Sequence, residues 1–387
     1  MMKNILVVDD SALMRRTISD IINSDEGFDA SRFANNGIEA LELLDAGEKF
    51  DAIILDINMP KMNGIEFLRT LNKQRRKEKV IIVSTIAKEG AKETIQALEL
   101  GAFDFITKPD SLSEAKGPSF SQKLLEMLYA ATGISTSEPL FKSVRTPEKK
   151  LSTRLVNTDT KPSSQNRKPF VSSIAVKSMK SDRDKHSKAP LGAGANKIVA
   201  LACSTGGPKA LQYVIPFLPA NLDAAVVLVQ HMPEGFTASL SKRLDELSRI
   251  KVKEAEDGDI LQKGTVYIAK GGFQMRVAEK NRKEHSLSVT KEAARNGLKP
   301  CADIMYESLM NSSYDEITCV VMTGMGADGT HGILQLEETN KVYVIGQNEE
   351  SCTVYGMPKA IAETGAVDEV VTLRKIADAI TKHVGVL

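Results

Sequence analysis

The chain has 387 residues, of which 42% are hydrophobic and 26% charged, and its formal net charge at neutral pH is +1. That length supports two or three domains, each with a core of its own. The near-neutral balance excludes a chain that binds polyanions along its whole surface, so no nucleic-acid partner is expected. No run approaches eighteen apolar residues, so direct membrane insertion is not expected either. The 4 cysteines lie far apart with no C-x-x-C pair, which predicts reduced thiols in a cytoplasmic protein. The amino terminus has only a short apolar run before Asp9 and lacks the form of a secretory signal.

In chain order, Lys3 to Val8 reads as a buried strand running into Asp9 and Asp10. A helix is predicted from Ala12 to Ile22, a strand from Ala30 to Ala34 and a helix from Gly37 to Leu44. A third strand, Ala52 to Leu55, ends in Asp56. A helix from Ile65 to Lys73 follows, then a strand from Val80 to Val83 ending at Ser84. A helix from Ala91 to Leu100 precedes a strand from Asp104 to Thr107, which ends in Lys108 and Pro109. Regular alternation of this kind predicts a parallel sheet with helices on both faces. With strand order 2-1-3-4-5, the first and third strands meet at the topological switch point and bring Asp9, Asp10 and Asp56 together. Three carboxylates repel unless a hard cation joins them, and oxygen ligands with room for water suit Mg²⁺. Lys108 and Ser84 would face the same spot. The set reads as a phosphoryl site with Asp56 as acceptor.

In this order, the double Asp, the strand-final Asp, the hydroxyl and the Lys-Pro pair resemble the receiver domain of bacterial two-component response regulators. The resemblance runs from about Lys3 to Gly133. It implies that Asp56 takes phosphate from a sensor kinase, that Phe105 is the switch aromatic of the fifth strand, and that a helix and loop near Ser84 shift in response. The receiver is assigned to residues 1–131.

Periodicity then vanishes. Between Lys142 and Lys188 there are 13 Lys and Arg against 4 Asp and Glu, a net of +9. Such a composition cannot bury enough apolar surface to offset chain entropy, so residues 132–195 are expected to form a disordered basic linker.

From residue 196 to 387 the alternation resumes. Lys197 to Ala202 is a buried strand opening into Cys203, Ser204, Thr205, Gly206, Gly207 and Pro208, with a helix expected from Pro208 to about Val214. Ala224 to Val229 is a strand that runs into Gln230, His231, Met232 and Pro233. Thr265 to Ala269, Ile317 to Met322 and Lys341 to Ile345 are further strands, the middle one opening into Thr323, Gly324, Met325, Gly326, Ala327, Asp328 and Gly329. Ser204, His231 and Asp328 thus follow three different buried strands, where loops of an open α/β sheet converge. They supply a nucleophile, a base and an orienting acid. His331 is a rival base, placed lower because it lies only three residues beyond Asp328.

The Cys203–Gly207 run, Gln230 to Pro233 with Phe236 and Thr237, Gly324 to Gly329, and Tyr355 to Pro358 resemble the catalytic domain of chemotaxis protein-glutamate methylesterases. The resemblance implies a second doubly wound α/β/α parallel sheet. In it, Ser204, His231 and Asp328 would hydrolyse γ-glutamyl methyl esters on chemoreceptors, release methanol and deamidate glutamines. It also implies the Met325 N–H as oxyanion donor and Thr205 as an orienting residue, with no cofactor for the esterase. The expected partners are methylated chemoreceptors and a chemotaxis sensor histidine kinase. At Lys270 to Met275 the chain departs from the family's Pro-Gly with a nearby His. A different-class alternative is a receiver tethered to a catalytically silent receptor-binding module. A nucleotide-binding domain is a third class, but the chain lacks G-x-G-x-x-G and G-x-x-x-x-G-K.

Overall fold

A computed structural model describes residues 2–85, 88–109, 114, 117–134, 196–281 and 284–387. The amino-terminal half is a parallel sheet of β1 (Lys3–Val8), β2 (Phe28–Ala34), β3 (Ala52–Asp56), β4 (Lys79–Ser84) and β5 (Asp104–Thr107), in the order β2-β1-β3-β4-β5. The strands are buried because alternate residues feed two layers. Ile5 and Val7 pack with Ile18 and Ile22 of α1 (Ala12–Asn23) and with Leu124 and Leu128 of α5 (Pro118–Thr132). Leu6 and Val8 face the other way, with Leu44 of α2 (Gly37–Asp45) and Leu68 and Leu71 of α3 (Gly64–Lys73). Local sequence sets the helix starts. Asn36 accepts from the N–H groups of Ile38 and Glu39, and Asn63 and Glu66 form a reciprocal capping box. Helix α4 (Lys88–Glu99) packs beside β4 and β5.

The carboxyl-terminal half holds a seven-stranded sheet. Its members are β6 (Lys197–Cys203), β7 (Ala225–Gln230), β8 (Lys251–Glu254), β9 (Thr265–Ile268), β12 (Glu316–Val321), β13 (Val342–Gln347) and β14 (Glu369–Val371). The order is β14-β13-β12-β6-β7-β9-β8 and every pairing is parallel. One layer packs Leu201 and Leu228 against α6 (Gly207–Leu211), α7 (Phe236–Leu247) and α11 (Ile376–Val384). Each fully buried Leu contributes about 2 kcal/mol of transfer free energy. The opposite layer packs Ile198, Ala200 and Ala202 against α8 (Ala302–Glu307), α9 (Thr330–Thr339) and α10 (Met357–Thr364). An antiparallel ribbon, β10 (Gln274–Asn281) with β11 (Glu284–Thr290), joins this layer through Met275, Val277 and Leu287.

Both expected parallel sheets are present. The helix expected to reach Val214 ends at Leu211 and the chain goes on into a 3₁₀ turn over Ile215–Phe217, where Pro216 has no N–H with which to continue an α-helical ladder. Helix α5 ends at Thr132 with Gly133 left-handed at φ 69°. The expected linker lies outside the described residues from 135 to 195. No helix among the described residues is long and apolar enough to cross a membrane.

Candidate functional site

Strand register brings the first site together. Cys203 pairs with Gln230, so Ser204 and His231 are the next residues of neighbouring strands. On the other side Ala202 pairs with Val321, and the chain beyond β12 carries Thr323 to Gly329 over the same edge. The Ser204 N–H donates to Thr323 O at 3.0 Å, and Ser204 O accepts from the Gly207 N–H at 2.7 Å and from Gln230 Nε2 at 3.1 Å. The backbone is closely approached here. A Cβ on Gly324 would stand 2.9 Å from Ser204 Cβ, and one on Gly207 would collide with Gln230 Oε1. The same holds for Gly271 in the departure from the family pattern, where a Cβ would meet Pro233 O at 2.2 Å.

His231 Nε2 lies 2.8 Å from Asp328 Oδ2. Oδ2 also accepts from the Ala302 N–H at 2.6 Å, and Oδ1 accepts from the Asp303 N–H and from Cys301 Sγ, both at 3.1 Å. Burial works against ionisation of Asp328, but His231 and these donors outweigh it and hold the carboxyl down at about 2. An ionised carboxylate only accepts, so Nε2 carries the proton and Nδ1 keeps the free lone pair. His331 goes elsewhere. It sits on α9, 67% exposed, with Nδ1 3.6 Å from Glu307. Among the described residues no hydrogen bond takes up the Met325 N–H, so it is available to an oxyanion. Thr323 is a hub that sequence reasoning missed. Its hydroxyl donates to Thr205 O at 2.9 Å and accepts from the Val354 N–H at 3.0 Å. Asp303 was missed as well. Its Oδ1 accepts from Gly329 and Gly332 N–H groups at 3.0 and 2.8 Å, fixing the turn that carries Asp328. Cys301, Asp303 and Asp328 form a group of metal-type donors, but these hydrogen bonds already occupy the Asp328 oxygens and Asp303 Oδ1.

The second site is at the switch point of the amino-terminal sheet. Asp9, Asp10 and Asp56 bring carboxylate oxygens within 4.8 Å of one another. Lys108 Nζ lies 2.9 Å from Asp9 Oδ2 and 2.8 Å from Asp56 Oδ2. Burial pushes Asp56 up to about 6, with Asp9 adding to the rise and Lys108 opposing it. Burial would lower Lys108, but Asp56 and Asp9 more than offset it and raise the ammonium above its ordinary value. One lysine for three carboxylates leaves negative charge in excess. With Asp9 and Asp56 buried and Asp10 exposed, the oxygen set and its open side fit a hydrated Mg²⁺. Ser84 is turned onto α4, its hydroxyl bonded to Thr94 Oγ1 at 2.7 Å and to Gly90 O at 3.3 Å.

The two halves form one compact unit, and β5 touches the loop that carries Ser204 directly. Asp104 Oδ2 accepts the Gly206 N–H at 3.2 Å, two residues beyond Ser204. Burial raises Asp104 to about 7, against hydrogen bonds from Phe105, Gly206 and the Thr205 side chain. The Phe105 ring stacks on Phe236 at 4.7 Å between centroids. Arg243 Nε on α7 lies 2.5 Å from Glu99 Oε1 on α4.

The CheB methylesterase family model matches residues 199–380 and the response regulator receiver domain model matches residues 5–116. The chain is 38% identical to protein-glutamate methylesterase/protein-glutamine glutaminase 1 of Syntrophomonas wolfei, over 98% of each chain. It is 40% identical to the protein-glutamate methylesterase/protein-glutamine glutaminase of Bacillus subtilis, over 99% of each. The solved catalytic domain of Thermotoga maritima CheB methylesterase is 39% identical, with TM-score 0.47, covering 49% of this chain and 98% of that one.

Proposed function

The chain belongs to the CheB methylesterase family and carries a response regulator receiver domain, and from that premise we propose that it is a phosphorylation-activated serine hydrolase. Its substrates are glutamate γ-methyl esters on chemoreceptors, with deamidation of glutamines as a second activity of the same site. Residues 196–387 form the catalytic domain and residues 1–131 the receiver. The observation that carries the reading is the ionised Asp328 bonded to His231 Nε2 at 2.8 Å, with Ser204 on the adjoining strand end.

In the reaction, Ser204 Oγ attacks the ester carbonyl and His231 Nδ1 takes the hydroxyl proton. Asp328 keeps the other proton on Nε2 and stabilises the imidazolium. The Met325 N–H donates to the tetrahedral oxyanion. The C–O bond to methanol breaks as His231 returns its proton to the leaving oxygen, which leaves glutamyl-Ser204. Water then attacks this ester, gives its proton to His231, and Ser204 leaves as the hydroxyl with carboxylate formed. In the receiver, Asp9, Asp10 and Asp56 would hold Mg²⁺, which supplies charge neutralisation for phosphoryl transfer to Asp56. Lys108 holds the Asp56 carboxylate and meets the added phosphoryl charge. A sensor histidine kinase is the donor. The junction of Asp104, Phe105 and Glu99 with the catalytic half supports a route by which phosphorylation frees the nucleophile loop. Buried, unpaired Cys203, Cys301 and Cys319 suit a reducing cytoplasm.

The test is methanol release from methylated receptor membranes with and without a small phosphodonor. Ser204→Ala should lower the rate about a thousandfold with the fold intact. Undiminished release by that variant would remove Ser204 as the nucleophile, and release by the parent chain no faster than from the membranes alone would remove the hydrolase reading and leave the receptor-binding module.

A further inference from the structure

Cys301 stands just before α8 with extended backbone, φ −120° and ψ 129°, the position where a small polar side chain ordinarily caps its own helix. Its side chain makes no such cap. It points instead across to the turn after β12, where Sγ lies 3.1 Å from Asp328 Oδ1. The cap roles are exchanged between the two segments. The Asp328 carboxylate takes the Ala302 and Asp303 N–H groups of α8, and the Asp303 carboxylate takes the Gly329 and Gly332 N–H groups at the start of α9. Cys301 is the remaining side-chain donor in this reciprocal clamp.

We propose that Cys301 is a positioning residue of the hydrolase, its S–H donating to Asp328 Oδ1 so that the carboxylate meets His231 Nε2 in one orientation. The inference rests on the reading of Ser204, His231 and Asp328 as the catalytic set. Oδ2 serves His231 and Ala302, so the orientation of the carboxylate depends on what holds Oδ1. Without the thiol, among the described residues only the Asp303 N–H at 3.1 Å does so. Cys301 is 1% exposed. Burial, with the Asp328 charge beside it, pushes the thiol up to about 12. The sulfur therefore stays protonated and serves as a donor. A bond to a charged acceptor is stronger than one between neutral groups, and an ionised oxygen left short of a donor in a buried site is costly.

A packing role and a donor role predict opposite rankings of two substitutions. If Cys301 only fills space, Cys301→Ala is tolerated and Cys301→Ser, which buries a hydroxyl, is no better. If it donates, Cys301→Ser works and Cys301→Ala does not. The full chain, saturated with phosphodonor, is assayed for methanol release from methylated receptor membranes. We expect Cys301→Ala to lower kcat about tenfold, equivalent to about 1.4 kcal/mol, with KM unchanged, and Cys301→Ser to stay within about twofold of the parent chain. Alanine as active as serine, or both equally impaired, overturns the proposal. Ser204→Ala run alongside separates the failures. If that variant is inactive while Cys301→Ala is fully active, only the positioning role is lost; if Ser204→Ala is active, the reading of Ser204, His231 and Asp328 as the catalytic set is itself wrong. A second measurement does not depend on how Cys301→Ala folds. The S–H stretching band that disappears in Cys301→Ser should lie at lower frequency in the resting parent chain than in Asp328→Asn. An equal frequency in the two overturns the proposal.

Discussion

At His231 the distribution of one proton follows from the groups around it. Asp328 is ionised, so Nε2–H points at it and Nδ1 remains for Ser204. Asp328→Asn leaves a side chain of the same shape but offers an amide N–H, which stabilises the wrong tautomer. The turnover number should fall about a thousandfold while the far-ultraviolet dichroism of the protein is unchanged; a fall under tenfold would remove Asp328 from its role. His331→Ala, on an exposed side chain beside Glu307, should leave methanol release within about twofold. At this scale the sequence was informative where chemistry stands at a strand end. Ser204, His231, Asp328, Asp9 and Asp56 each follow a run of buried apolar residues. Cys301 and Asp303 carry no such mark, and Thr323, though it follows such a run, reads there as an ordinary strand-end residue. They act on backbone N–H groups, carbonyls or a carboxylate brought near by the fold, and their spacing in sequence says nothing of it.

Among the elements, α8 and α9 hold Asp328, and their contact leaves room only for glycine at one point. A Cβ on Gly332 would lie 2.7 Å from Asp303 O and 2.9 Å from Asp303 Cα, both backbone atoms that cannot swing away. Gly332→Ala should therefore cost about 2 kcal/mol in the unfolding of the catalytic half, read as a lowered urea midpoint, and lower kcat through Asp303. An unchanged midpoint would mean that the two helices part without cost. The strands most legible in sequence are the central ones, β1, β3, β6, β7 and β12, because burial on both faces makes them continuous apolar runs. The short edge strands β8 and β14 and the ribbon β10–β11 were not legible. Half of β10 is exposed, with Glu279, Lys280 and Asn281 in succession, and alternation is lost there.

Across the whole molecule, the junction between the halves turns on Asp104, which in sequence is only the first residue of a short strand. Its carboxyl is held up at about 7 by burial against the Gly206 N–H. Once the halves part, it returns toward the ordinary 3.8. Between those values the docked state binds a proton that the parted state does not. Its contribution to docking is therefore complete below 3.8 and is lost as pH rises through about 7. By linkage, docking should weaken about tenfold between pH 6 and pH 8 from this group alone. Basal methanol release without phosphodonor, divided by release with saturating phosphodonor at the same pH, cancels any pH effect common to both rates. That ratio should climb several-fold from pH 6 to pH 8 in the parent chain. In Asp104→Asn, which has no proton to lose, it should stay flat. A neighbouring contact supplies an independent lever. Glu99→Arg sets two cations together at Arg243 and should raise the basal rate at every pH, and adding Arg243→Glu should bring it back down. If the basal ratio ignores both pH and the Glu99–Arg243 pair, the contact of Asp104 with the nucleophile loop does not restrain the hydrolase, and phosphorylation must act by some other route than parting the halves.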